Sequence, residues 1–203
     1  MKKTHVVWIG ALKYTTKSIK TKWKLNWGTS SFKLLGIIFH VDLEKMLDLN
    51  FNEKIEKIKN SIQCWKRRKL TILGRITVVK SLLLPMLTHL FVSLPNPTIY
   101  VLNQIQSMFN EYVWQGTPKI KSSIFVKSYA EGGLKMVDIS CYMKSLKVTW
   151  FRRYICMQNN SCYDIVDKEI NFEKIFNYGK DYIEIVLKQL TNCFLEGFIK
   201  SIF

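Results

Sequence analysis

The hydrophobic pattern of the sequence changes near Asn52, and this change constrains the fold more than any other feature. From that residue onward, apolar residues recur at steps of three and four, the spacing of one face of an α-helix. Lysines fall on the opposite side. The first such stripe is Ile55, Ile58, Ile62 and Trp65. Because the same period returns in later segments, the sequence predicts a mainly α-helical protein.

Three short segments before this change predict β-strands: HVVWIG (5–10), KWKLNW (22–27) and FKLLGIIF (32–39). They are rich in β-branched and aromatic residues and are separated by Ser, Thr and Gly. The third is almost continuously apolar, which predicts burial on both faces. We therefore expect a small β-strand element over residues 1–50, in front of the helices.

Polar residues that precede apolar stripes predict where the later helices begin. Thr71 should cap a second helix, Thr98 a third, and Asp138 a fourth that runs through Tyr154. Pro85 should kink or end the second helix. The second helix should bury one stripe: Ile72, Ile76, Val79 and Leu83. The fourth should turn five residues inward: Ile139, Tyr142, Met143, Leu146 and Trp150.

The remaining segments complete the expected organisation. The third helix should close at Gln115-Gly116, and residues 117–137 should be irregular, with a short strand around SIFV. We expect a helical domain over residues 51–155 and a helical connector or tail over 156–203.

Positive charge is concentrated in the first three-quarters of the chain. The whole chain carries a net charge of +16. Residues 1–150 hold 24 Lys and Arg against 8 Asp and Glu, whereas residues 151–203 hold 7 of each. Such asymmetry is typical of proteins that bind a polyanion, because each phosphate that is neutralised releases counterions. It favours a nucleic acid over a membrane surface or an acidic protein.

Part of this charge is a basic cluster that runs into the second helix. Its six cations are Lys66, Arg67, Arg68, Lys69, Arg75 and Lys80. One interpretation is a solvated loop between two helices, and the other is a clamp for phosphate groups; the residues alone leave both open. Trp65 either completes the isoleucine stripe in the core or stacks on a base.

The sequence offers little catalytic chemistry. It contains no GxSxG, GxxxxGK[ST], HExxH or GxGxxG motif and no adjacent pair of aspartates. Its five cysteines form no CxxC pair, and the three histidines are too scattered to suggest a metal site. The uncharged stretch 81–110 is interrupted by prolines, so we expect no membrane span. These features favour an intracellular binding protein, nuclear or cytoplasmic.

Five ordered blocks of this sequence resemble the reverse transcriptases of LINE-type (non-LTR) retrotransposons. KKTHVVWIG resembles the Lys-Thr-Lys-x-x-x-Trp-Ile-Gly strand that closes the polymerase palm, and FKLLGIIF resembles the strand pair that supports the primer end. CWKRRKLTILGRITVVKSLLLPMLTHLF resembles the start of the thumb, with its Trp-x-x-Arg-x-Leu-(Ser/Thr)-x-x-Gly-Arg pattern. NEYVWQG and EGGLKMVDI resemble segments further downstream. Two residues depart from the family pattern: His5 replaces the second Lys, and Val137 stands where Pro is common.

The resemblance implies a specific division of the chain. Residues 1–50 would be a residual palm β element, residues 51–155 a helical thumb and residues 156–203 a connector. The six cations of the basic cluster would bind the template–primer duplex without sequence preference, and Leu35 and Gly36 would support the primer end. Gly36 would be a point of close approach for the primer backbone, although a tight strand contact would also explain a glycine there.

The same resemblance assigns catalysis elsewhere. In the family, the metal-binding aspartates precede the Lys-Thr-Lys strand, at which this chain begins. The chain would therefore be a fragment of an RNA-directed DNA polymerase that is inactive alone. It would hold no cofactor, since Mg²⁺ would belong to the palm, and its partners would be RNA–DNA hybrid or RNA and the remaining palm and fingers. The alternatives are a stand-alone nucleic-acid-binding helical module and a decayed retrotransposon remnant without activity.

Overall fold

The structure is a computed structural model that describes residues 5–6, 26–27 and 31–156. The protein is mainly α-helical, as the sequence predicts, with a small antiparallel sheet toward its N-terminal end. The described residues fall into two compact units that divide after Glu56. The predicted connector lies outside the described residues except for Cys156.

The first unit contains two pairs of short strands. Strands β1 (His5–Val6) and β2 (Asn26–Trp27) pair in parallel. Strands β3 (Ser31–Leu34) and β4 (Ile37–His40) form an antiparallel hairpin. Helix α1 (Leu43–Lys66) begins in this unit and continues beyond it.

FKLLGIIF is a hairpin, and the prediction that it is buried on both faces is wrong. Its turn is formed by Leu35 and Gly36, whose φ angles are 49° and 83°. Positive φ at both central residues is the mark of a tight type I′ turn, which matches the twist of the two strands. Leu34 and Leu35 are 53% and 85% exposed. The segment is therefore a pair of strands with apolar residues at its exposed end.

Asn50 ties this hairpin to helix α1. Its side chain is buried, and its Oδ1 accepts a hydrogen bond from the Ile38 N–H at 2.8 Å. Its Nδ2 donates to the carbonyl oxygens of Ile38 and Met46, at 2.7 Å each. The amide thus pairs with both polar groups of one β4 residue, as a neighbouring strand would, and satisfies them away from water.

Five more helices lie in the described residues of the second unit. They are α2 (Ile72–Val78), α3 (Pro85–Ser93), α4 (Ile99–Trp114), the single turn α5 (Ser122–Phe125) and α6 (Ile139–Cys156). A π-helical turn (Val79–Leu83) joins α2 to α3, and a 3₁₀ turn (Tyr129–Glu131) precedes α6.

The predicted break at Pro85 is confirmed, because the axis bends by 43° between Ile72–Leu83 and Pro85–Ser93. Within the described part of the chain, no single helix is long and apolar enough to cross a membrane. Among the described helices, this bent pair is the one that reaches that length and composition when its two parts are taken together.

The three predicted helix starts agree with the structure, and two of the three predicted caps form hydrogen bonds. Thr71 Oγ1 accepts a hydrogen bond from the Gly74 N–H at 3.2 Å, and Asp138 Oδ1 accepts one from the Cys141 N–H at 2.8 Å. Thr98 occupies the N-cap position of α4, although its side chain forms no capping hydrogen bond. The side-chain oxygens of Thr71 and Asp138 thus accept hydrogen bonds from backbone N–H groups that a helix leaves unpaired at its start.

The core of the second unit lies where α2 packs on α4, and where α3 and α4 pack on α6. Its largest buried apolar side chains, each almost inaccessible to water, include Ile76, Leu83, Leu87, Leu90, Phe91, Phe109, Tyr112 and Phe125. The stripe predicted for the second helix is buried at Ile76, Val79 and Leu83, as expected, whereas Ile72 is only half-buried.

Two details of the predicted helical domain are wrong. SIFV does not form a strand: its first three residues lie in α5, and the Phe125 carbonyl accepts hydrogen bonds from the N–H groups of Leu134 and Met136. On α6, Lys147 is buried together with Ile139 and Met143, whereas the predicted Leu146 is half-buried. The side chain of Trp150 lies outside the described residues.

Candidate nucleic-acid interface

The basic cluster lies on a short turn between two helices. Helix α1 ends at Lys66, and the N–H groups of Arg68 and Leu70 donate to the carbonyls of Trp65 and Arg68, at 3.0 and 2.8 Å. The cap at Thr71 then starts α2. We call residues 66–69 the basic turn; all four of its side chains are exposed. The turn is short and hydrogen-bonded, so it presents these cations from a defined backbone.

Lys66 has an acidic partner that the sequence did not indicate. Its Nζ lies 3.3 Å from Oε1 of Glu111 on α4, and the two side chains are 42% and 69% exposed. An exposed pair of this kind contributes at most about 1 kcal/mol. A phosphate group could therefore replace the Glu111 carboxylate at little cost.

Arg68 stacks on the aromatic residue at the end of α1. Its guanidinium carbon lies 4.2 Å from the centroid of the Trp65 ring, a cation–π contact. Trp65 is half-buried, so it lies at the edge of the core instead of within it. The contact restrains Arg68 while its charge stays at the surface.

Arg67 and Lys69 are the cations of the turn that are most available to a ligand. Neither side chain forms an ion pair or hydrogen bond within the part of the chain that the structure describes. An open depression of about 520 Å³ beside the turn is lined by Lys66, Glu111, Gln115 and Gly116.

Arg75 holds the backbone that carries the basic turn. Its Nε donates to the Leu70 carbonyl at 3.0 Å, and its Nη1 donates to the Val113 carbonyl in the last turn of α4. A cation at a helix C-terminus is favourable because the last carbonyls carry partial negative charge. The nearby Arg75 charge lowers the pKa of the buried Tyr112, but burial has the larger effect and raises it. Arg75 therefore supports the turn, and its contact with phosphate stays a prediction.

Lys80 has a different environment from the basic turn. It is half-buried in the π-helical turn, and burial is the main cause that lowers its pKa. The second cause is the positive charge of Lys135, a residue that the sequence does not single out for any function.

Leu35 and Gly36, the predicted primer-end support, lie in the first unit at the exposed turn of the hairpin. A Cβ built on Gly36 would meet no atom within 4 Å. The alternative of a tight strand contact is therefore wrong, and the glycine is explained by its positive φ.

The sequence contains one signal for the acidic neighbour of Lys66. Glu111 is the one carboxylate between Glu56 and Glu131. Its helix phase, however, does not show which cation it faces. Among the described residues, no group of three or more His, Cys, Asp or Glu lies close enough to hold a metal ion.

No protein-family model matches the chain. The resemblance to LINE-type reverse transcriptases, drawn from the five sequence blocks, therefore stays a prediction. The arrangement of charge at the basic turn is a separate observation, and both bear on function.

Proposed function

We propose that this chain is the thumb and adjoining palm strands of a LINE-type reverse transcriptase, and that it grips template–primer nucleic acid by sequence-independent phosphate contacts. The observation that carries this proposal is the basic turn: its four cations are all exposed, and among the described residues only Lys66 of the four pairs with a carboxylate, Glu111. Contacts to phosphate position a nucleic acid without reading its sequence. A polymerase needs such contacts because it must follow any template.

The contacts of the turn suggest a role for each cation. Arg67 and Lys69 bind phosphates directly, and Lys66 exchanges the Glu111 carboxylate for a phosphate. Arg68 contributes positive charge, and its contact with the Trp65 ring restrains the guanidinium group. Arg75 keeps the turn in place through its two backbone carbonyls.

Catalysis is not assigned to any residue of this chain. By the same resemblance, nucleotide addition and Mg²⁺ belong to the aspartates of the polymerase palm. The exposed hairpin end at Leu35 and Gly36 would support the primer end. The exposure of Leu35 is compatible with that role.

The proposal is tested by the salt dependence of binding. We expect the chain to bind a fluorescently labelled RNA–DNA hybrid, with log affinity falling linearly with log salt between 50 and 200 mM. On the counterion-release slope of about 0.9 per phosphate, the replacement of Arg67 and Lys69 by Ala should reduce the slope by about 1.8.

The matched control replaces two exposed lysines outside the turn, Lys45 and Lys119, by Ala, which changes the net charge equally. Fluorescence anisotropy measures all three proteins. An absence of binding by the wild-type chain at 50 mM salt would refute the proposed function. Equal slopes for the two double variants would remove the basic turn from the interface.

A second candidate is a nucleic-acid-binding module that acts without a polymerase. The continuous apolar core of the second unit favours it, because such a core can stabilise a domain independently. Supplying a separately expressed fingers and palm fragment of a LINE-type enzyme distinguishes the two. If adding this chain restores primer extension by that fragment, the result supports a thumb of a polymerase. If primer extension does not change while the chain still binds the hybrid, the result supports an independent nucleic-acid-binding module.

A further inference from the structure

A groove follows one side of helix α4 and ends at the basic turn. It consists of two open depressions, of about 430 and 520 Å³, which adjoin because Glu111 and Gly116 line both of them. The smaller depression begins at Asn103 on α4, and the larger one reaches Lys66 of the basic turn. We call this surface, from Asn103 to Lys66, the α4 groove. A strand whose phosphate lies at Lys66 therefore has a depression beside it in which its next groups can lie.

The helical period of α4 gives the groove a polar lining. Asn103, Ser107 and Asn110 are separated by four and three positions, so they share one face of the helix. The other side of the groove comes from the chain that follows α4. Gln115 has a left-handed φ of 48° and ends the helix, and Gly116 then lies in the lining.

One amide of the groove supports the structure and holds a second amide in place. Gln106 Oε1 accepts a hydrogen bond from the Ile139 N–H at 2.9 Å, and its Nε2 donates to Oδ1 of Asn110 at 3.2 Å. Within the described residues, Asn110 Nδ2 forms no hydrogen bond, and neither do the side chains of Asn103 and Ser107. These polar groups are therefore available to a ligand.

The chemistry of the groove suits a sugar hydroxyl better than a phosphate. Amide and hydroxyl side chains both donate and accept hydrogen bonds, whereas the Glu111 carboxylate only accepts them and repels phosphate. A ribose 2′-hydroxyl both donates and accepts, and it is the group that distinguishes RNA from DNA. A carboxylate beside the backbone therefore disfavours DNA, and a 2′-hydroxyl that donates to it compensates for this cost.

We propose that the α4 groove binds riboses of the RNA strand of the hybrid, with Glu111 accepting a hydrogen bond from a 2′-hydroxyl and with Asn103 and Asn110 contacting neighbouring sugar oxygens. This inference rests on the proposed function, since it states which strand the basic turn holds. When a phosphate takes the Lys66 ammonium, the Glu111 carboxylate loses its partner at 3.3 Å, and the 2′-hydroxyl replaces it. The basic turn then holds the strand, and the groove selects it as RNA.

The first experiment measures how strongly binding depends on the 2′-hydroxyl. Fluorescence anisotropy compares an RNA–DNA hybrid with the same hybrid carrying 2′-fluoro groups in its RNA strand, which removes the O–H donor from each sugar. We expect the wild-type chain to bind the hydroxyl form about tenfold more tightly, as a hydrogen bond to a charged group predicts. Equal affinities in a chain that binds both forms would overturn the inference.

The role of Glu111 is tested by the ratio of these two affinities. Glu111→Ala should lower the ratio to about one, because no carboxylate remains to accept the hydrogen bond. The released Lys66 affects both ligands equally and cancels in the ratio. The matched control is Glu44→Ala, which removes an exposed carboxylate from α1 and should keep the wild-type ratio. A wild-type ratio for Glu111→Ala would overturn the assignment of the 2′-hydroxyl.

The path of the strand along α4 is tested at the far end of the groove. Asn103→Ala should weaken binding of the hydroxyl hybrid about fivefold, the effect of one neutral hydrogen bond. The matched control is Gln104→Ala, because Gln104 is the next residue of α4 and does not line the groove. Equal affinities for the two variants would show that the strand does not lie in the groove.

The second experiment separates this site from the proposed function. The side-chain amide signals of Asn103 and Asn110 are followed by NMR in the full chain, during titration with uridine 3′-monophosphate or its 2′-deoxy form. We expect these signals to shift with the ribonucleotide and far less with the deoxy form. Such a result in a chain that binds no hybrid would keep the ribose site and refute only the proposed function. In a chain that binds no hybrid, equal shifts with both nucleotides, or none with either, would overturn the inference.

Discussion

At the scale of single residues, the turn between β3 and β4 combines two unfavourable features. Leu35 has a positive φ and is also the most exposed large apolar residue among those described. A left-handed conformation costs residues other than glycine and asparagine about 1–2 kcal/mol. Asparagine would suit both the backbone and the solvent.

We therefore predict that Leu35→Asn stabilises the protein by about 1 kcal/mol. Leu34→Asn is the matched control, because it removes a neighbouring exposed leucine from a strand, where asparagine is disfavoured. The free energy of unfolding is measured in urea. A stabilisation by Leu34→Asn of the same size would show that exposure, and not φ, is responsible.

Lys147 gives the protein a characteristic pH dependence. It is 1% exposed, its Nζ donates to the Leu94 carbonyl, and burial lowers its pKa to about 8 from the ordinary 10.5. Between these values the unfolded chain holds more protons than the folded chain, so stability rises with pH. Below pH 8 the lysine is charged in both states, and the cost of burying its charge is fully present.

We predict that the difference in the free energy of unfolding between wild type and Lys147→Met changes with pH. The difference should be constant below about pH 8 and should move in favour of wild type from pH 8 to 10, because the lysine loses its proton in the folded state. Urea unfolding at four pH values measures it. Parallel curves for the two proteins would contradict the assigned pKa.

At the scale of elements, local signals were predictable from the sequence and distant contacts were not. Thr71 and Asp138 cap helices through residues three positions away, so their pattern is visible in the sequence. The strand predicted around SIFV is wrong because the conformation of this segment depends on distant hydrogen bonds, which the N–H groups of Leu134 and Met136 donate to the Phe125 carbonyl. The pairing of Lys66 with Glu111 likewise depends on how α1 and α4 pack.

The loop before α6 should tolerate no side chain at Gly133. Its Cβ would lie 2.2 Å from the Lys127 oxygen, whereas a Cβ on Gly116 would meet no atom within 4 Å. We predict that Gly133→Ala destabilises the protein by about 1–3 kcal/mol, as overpacking does, and that Gly116→Ala changes stability far less.

Thermal unfolding of the two variants measures this difference. Normal stability of Gly133→Ala would mean that the loop moves to admit a Cβ, and the predicted overpacking would then be wrong.

At the scale of the whole molecule, the sequence predicted the fold class but not the roles of individual cations. The hydrophobic period is a property of each segment, and it was sufficient to identify a mainly helical chain. Net charge gave the sign of the expected partner. It could not distinguish Arg75, which binds backbone carbonyls, from Arg67 and Lys69, which remain available to a ligand.

The distribution of charge over the molecule also predicts how the protein selects its ligand. Because the proposed contacts are made to phosphates, affinity should depend on backbone geometry and salt and not on base sequence. Four RNA–DNA hybrids of equal length and different base composition should bind with affinities within about twofold of one another at fixed salt. Fluorescence anisotropy with unlabelled competitors measures these ratios.

Each base-specific contact contributes about 1–3 kcal/mol of discrimination, so a preference of tenfold or more for one sequence would show that side chains read base edges. In that case the sequence-independent grip proposed for the basic turn would be wrong.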